Sequence, residues 1–330
     1  MDVKKIYPDP SSDGLPLKRD IYTIFFPRII YYILLFLSSI LYFFYIELAH
    51  DYIEYISLFY RLQEFEFIEI FYERFEPLFI TLAWLLVRIA GPEQIYYLIA
   101  IFILIVKYFI WNKFSDPKNI LYFILVYFPI FSFILDANQI RAGLASIFLF
   151  YIILASPSVR TIIIFAIIAM LLHYSGVICL FALMRTKSLK KILITAIVAF
   201  ISVFILSYSG SLNFLIFNTY LLSTDRENKT LFSIISVSYL FIAFLVVSNW
   251  RNLHGTRRAG AIYILVGITF YYLPIPAITS HRIAEMSLIG IMPFLATFNK
   301  KTILDIALLL PIGVIVIYYS VFLLGRTGLL

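Results

Sequence analysis

The chain is written in long apolar runs, each closed by a charge, a glycine or a proline. They fall at residues 29–46, 78–90, 95–111, 120–135, 140–155, 161–184, 192–207, 231–248, 259–273, 283–298 and 303–324. A helix that crosses the hydrocarbon layer needs about 20 mostly apolar residues, because the layer is about 30 Å thick and each residue rises about 1.5 Å. Several runs are shorter than that. The pattern therefore predicts an all-α, polytopic transmembrane helical bundle of about 10 to 12 membrane elements, some of them short, tilted or re-entrant. A transmembrane β-barrel would alternate apolar and polar residues in segments of about 10. These runs are continuously apolar, so helices are expected despite 33 Phe and 25 Tyr.

The segments between the runs set the organisation. Residues 1–20 read as a short polar tail and residues 21–330 as a single transmembrane domain. Two loops stand out. Residues 50–76 hold Asp51, Glu54, Glu64, Glu66, Glu69, Glu73 and Glu76, seven of the chain's 19 acidic residues, against Arg61 and Arg74 alone, which suits an external loop. Residues 208–230 form the second, with room for a short interfacial helix at 212–222.

Composition removes the soluble alternatives. A chain that is 62% hydrophobic and 14% charged cannot cover a soluble surface. The formal charge of +7 marks cytoplasmic loops in such a chain, so nucleic acid is not an expected partner. The one cysteine, Cys179, allows no intramolecular disulfide.

The positive clusters Lys4/Lys5/Lys18/Arg19, Arg185/Lys187/Lys190/Lys191, Arg251/Arg257/Arg258 and Lys300/Lys301 all belong in the cytoplasm, which puts the turn at 274–282 outside. Lys113 and Lys118 also favour the inside, and a simple one-pass count forbids this. The conflict disappears if the run at 78–90 fails to cross fully and residues 161–184 dip out and return as a broken hairpin. Arg141 and His173 then share the outer side with Arg282. In the simple count Arg141 is internal.

No phosphate loop, metal-spaced Cys or His set, or nucleophile elbow is present, so no metal and no cofactor is expected. What remains is ionisable side chains at membrane depth, which are costly and mark function. Arg141 follows Asn138 and Gln139 and opens a helix of small residues. It is either a diphosphate ligand, through its planar fork, or an anchor snorkelling to the interface. His173, alone in an apolar run, is either a packed, hydrogen-bonded side chain or a proton acceptor. His281 and Arg282 follow Pro274 and Pro276, which interrupt a helix and leave backbone groups free beside a cavity.

The run Asn138-Gln139-Ile140-Arg141-Ala142-Gly143-Leu144-Ala145, followed about thirty residues later by Leu171-Leu172-His173-Tyr174-Ser175-Gly176, resembles the core signature of EpsG-type polysaccharide polymerases, relatives of the Wzy O-antigen and capsule polymerases. Asp51-Tyr52-Ile53-Glu54-Tyr55 and Phe75-Glu76-Pro77-Leu78-Phe79 are similar to that family's first external loop and the start of its second helix, and His281-Arg282 sits where such proteins carry another polar pair. The long acidic stretch at 60–73 departs from the pattern.

This resemblance implies a glycosyltransferase of the bacterial cytoplasmic membrane that joins undecaprenyl-diphosphate-linked oligosaccharide repeat units at the outer face. Its partners would be those lipids, the bilayer and a chain-length regulator protein. Arg141, Arg282, His281, Gln139 and Asn138 would then bind diphosphate and substrate, and His173, Glu76 or Asp51 would take the acceptor hydroxyl's proton. The residues alone leave two rivals standing: a flippase or transporter of lipid-linked oligosaccharides, and another membrane transferase such as an O-antigen ligase.

Overall fold

A computed structural model of the chain describes residues 51–73, 75–116, 119–137, 139–186, 188–191, 194, 197, 201, 233–272, 277–299 and 302–326. The polar tail, the run at 29–46, most of the run at 192–207 and the second loop with its short helix at 212–222 lie outside the described residues. Every regular element among the described residues is helical.

The acidic first loop is folded. Tyr55, Leu58, Phe59 and Leu62 recur at helical spacing and are buried, while Glu54, Arg61 and Glu64 face outward, so residues Tyr52–Glu64 form an amphipathic helix, α1. A 3₁₀ turn, Glu69–Tyr72, follows it. The abundance of carboxylates hides this apolar stripe from a reading by hydropathy. Helix α2, Pro77–Val87, opens on a proline in its first turn, where the missing N–H costs nothing. Its 11 residues rise about 16 Å, half the hydrocarbon layer. The guanidinium of Arg88 closes it against α1 by donating to the carbonyls of Gln63 and Phe65, both at 2.5 Å.

Among the described residues two helices are long and apolar enough to cross a membrane: α3, Pro92–Phe114, and the Ile303–Val321 portion of the last helix. On α3 the side chains of Leu98, Phe102, Ile105 and Phe109 are exposed, whereas Lys107 is wholly buried. Charge inside and apolar surface outside is the arrangement that lipid demands and water forbids.

Between these spans the shorter apolar helices pack. Helix α4 begins at Ile120–Tyr122 and continues as wide π-type turns over Phe123–Ala137, with Pro129 inside. Helix α5 is Ile140–Ala155 and α6 is Val159–Leu172, capped by Ser158. A 3₁₀ segment, Tyr174–Thr186, folds back along α6, so residues 159–186 are a broken hairpin with His173 at its apex. Helices α7, Ile234–Ser248, and α8, Gly255–Tyr272, come next. The run at 283–298 is a bent rod made of α9, Ala277–Ser287, a 3₁₀ turn, Leu288–Ile291, and α10, Met292–Ala296. It lies backbone to backbone on α8, since a Cβ on Gly260 would stand 2.3 Å from the carbonyl oxygen of Gly290. Helix α11 is Ile303–Arg326.

The bundle has two distinct ends. At one, Arg257 holds Asp305 at 2.8 and 2.9 Å, and the Asp116 amide and Asn119 side chain both donate to the carbonyl of Ala296, at 3.1 and 3.0 Å. The other end gathers the start of α1, the start of α2, the start of α5, the hairpin apex and α9.

Candidate functional site

The run that carries Gln139 and Arg141 is anchored from below, at Asp136. Lys107, in the middle of α3, donates to one carboxylate oxygen of Asp136 at 2.5 Å, and the hydroxyl of Tyr127 donates to the other. Lysine and aspartate are both fully buried. Such a pair contributes little net stability, but removal of one partner strands the other charge. It pins the end of α4 to α3 just before the chain turns into α5.

Three residues on, Gln139 caps α5, and Arg141 lies in its first turn. Arg141 Nη1 donates to Glu76 Oε2 at 2.6 Å and its Nε to the hydroxyl of Tyr55 at 3.0 Å. The guanidinium carbon also lies over the ring of Phe75, 4.5 Å from its centroid, a cation–π contact that desolvation strengthens. Glu76 has its other oxygen on the backbone N–H of Tyr174, at 3.2 Å, so one carboxylate clamps both the arginine and the hairpin apex.

The apex itself is forced by close approach. A Cβ on Gly176 would stand 2.3 Å from the carbonyl carbon of Ala169, so only glycine lets the 3₁₀ segment return against α6. His173 is extended there and buried, with Nδ1 2.6 Å from Ser175 Oγ. That hydroxyl in turn donates to the sulfur of Met286 on α9 at 3.0 Å.

Arg282 comes from α9 and stands 3.9 Å from Asp51, the residue that opens α1. Glu285, three residues further on, faces Gln139, whose amide nitrogen is 3.5 Å from Glu285 Oε2.

The structure thus brings together Asp51, Glu76, Gln139, Arg141, His173 and Arg282, drawn from five separated stretches of sequence. Asn138 and the side chain of His281 lie outside the described residues. Arg141 is not a snorkelling anchor, since its guanidinium turns inward to Glu76 and Tyr55 inside the bundle. Glu76 and Asp51, read from sequence as possible proton acceptors, each stand beside an arginine. Sequence reasoning missed Lys107, Tyr55, Tyr127 and Glu285. The signal for Lys107 was there, as a lone cation in the middle of an apolar run.

The EpsG family profile matches residues 26–328, nearly the whole chain. The chain belongs to the EpsG family. Membership of the EpsG family makes it a polysaccharide polymerase-like membrane protein, and the aligned span contains every residue of the site just described. No curated protein and no solved structure matches the chain.

Proposed function

We propose that this EpsG-family protein is a polymerase of lipid-linked repeat units, acting from a polytopic bundle in the bacterial cytoplasmic membrane with its site facing outward. It transfers a growing chain from undecaprenyl diphosphate to the hydroxyl of an incoming repeat, building O-antigen or capsule. The observation that carries this reading is the pair of carboxylate-held guanidiniums, Arg141 on Glu76 and Arg282 on Asp51, brought by α2 and α9 to the hairpin apex that carries His173, inside an apolar helical core.

That set suits the reaction. The acceptor hydroxyl attacks the anomeric carbon of the donor sugar, the bond from that carbon to the diphosphate oxygen breaks, and the electron pair leaves on the lipid diphosphate. The departing charge calls for cations that stay protonated and present several donors, and arginine meets both needs. The hydroxyl proton goes to a neutral base, and His173, its Nδ1 fixed by Ser175, adjoins Tyr174, whose N–H is held by Arg141's partner Glu76. Glu76 and Asp51 hold the two guanidiniums in place before the lipid arrives. The outward orientation rests on Arg257 and Arg258 lying at the end of the bundle opposite the site.

Deletion of the gene is the decisive test. The expected result is loss of the polymer ladder with single repeat units still displayed at the surface. Loss of all surface sugar would assign the protein to export instead.

A further inference from the structure

Five carboxylates in the described part of the bundle lie in its interior or at the site, and four have a cation partner: Asp51 with Arg282, Glu76 with Arg141, Asp136 with Lys107 and Asp305 with Arg257. Glu285 is the exception. Among the described residues no cation lies within ion-pairing distance of it, and its hydrogen-bond partner is the amide nitrogen of Gln139 at 3.5 Å.

Gln139 is unsatisfied in the complementary sense. It is only 8% exposed, and its Oε1 has no hydrogen-bond partner among the described residues. The carboxylate sets which way the amide faces, because two oxygens turned toward each other would repel. Two acceptor groups with spare lone pairs therefore sit together beside the arginines, on the same two elements that carry Arg141 and Arg282. A buried acceptor without a donor is costly, because it has given up water and gained no partner. The pair calls for a ligand that donates hydrogen bonds and carries no negative charge of its own.

We propose that Gln139 and Glu285 form a saccharide subsite that accepts hydrogen bonds from sugar hydroxyls, next to and distinct from the arginine diphosphate site. The inference rests on the polymerase reading and deepens it. The arginines hold the diphosphate, and the Gln139–Glu285 pair grips the sugar. A hydroxyl donor matches both groups, whereas the diphosphate would be repelled by both.

The test separates the two ligands. Purified protein in detergent is given either undecaprenyl diphosphate without sugar or the same lipid carrying its oligosaccharide repeat, and retention is measured at equilibrium. Glu285→Gln, which keeps shape and removes charge, and Gln139→Ala should each weaken the sugar-bearing lipid about tenfold or more and leave the sugar-free lipid unchanged, which also shows that the fold is intact. Arg141→Ala should weaken both lipids. Equal weakening of both lipids by Glu285→Gln, or no effect on either, overturns the subsite while the polymerase reading stands. Failure of the unaltered protein to retain either lipid overturns that reading and the subsite with it.

Discussion

Arg141 Nη1 and Glu76 Oε2 stand 2.6 Å apart with both side chains almost fully buried, and the second oxygen of the same carboxylate holds the backbone of Tyr174. One acidic group on α2 therefore fixes both the cation on α5 and the turn beside His173. Arg141→Ala and Arg141→Lys are both expected to abolish chain growth at normal protein level. Lysine lacks the fork that reaches Glu76 and Tyr55 together. Near-normal polymer from both variants would remove Arg141 from the site.

Glu76→Ala leaves the arginine buried without its partner and is expected to cost about 3–5 kcal/mol of stability. The double variant Glu76→Ala with Arg141→Ala should lose less than the sum of the two single changes, because no charge is then stranded. Thermal unfolding in detergent of the four proteins reads the difference.

The Lys107–Asp136 pair obeys the same logic at greater depth. Lys107→Met strands Asp136 and should destabilise by about 3–5 kcal/mol, whereas Lys107→Met combined with Asp136→Leu should recover most of that loss. A single variant as stable as the parent protein would show that the pair carries no buried charge.

Gly176→Ala is expected to reduce both folded yield and polymer, since the added methyl would lie 2.3 Å from the backbone of Ala169. Gly313→Ala on α11 is the control, as nothing lies within 4 Å of its Cβ position, and its helix should gain about 1 kcal/mol at most. Melting temperatures should therefore move in opposite directions.

Sidedness follows from cysteine labelling. Cys179 is fully buried and should stay silent to a polar maleimide. Glu66→Cys should react in intact cells, and Arg251→Cys only after the membrane is opened. Labelling of both in intact cells would refute the outward orientation of the site.

Much of this was legible in the residues. Apolar runs bounded by charge located α3, α5, α7 and α11, and the clash between Lys113 and a one-pass topology pointed to the short α2 and to the broken hairpin. Arg141, His173 and Arg282 stood out because charge at membrane depth needs a reason. Lys107 and Asp136, by contrast, are 29 positions apart in sequence and meet only through the packing of α3 against α4. Glu285 and Gln139 are 146 positions apart, and only the packing of α9 brings the carboxylate to the amide. The 3₁₀ and π windings were illegible for another reason. A continuously apolar segment has no polar face, so its periodicity cannot report how tightly it is wound.

The hairpin has a consequence for how the chain is threaded. Its two arms, Val159–Leu172 and Tyr174–Thr186, run up to His173 and back, so the segments flanking them emerge on one side of the bundle. A reporter enzyme fused after Ala155 and another fused after Thr186 would sense the same compartment. Excising everything between would leave the sidedness of the remaining chain untouched while taking the imidazole away.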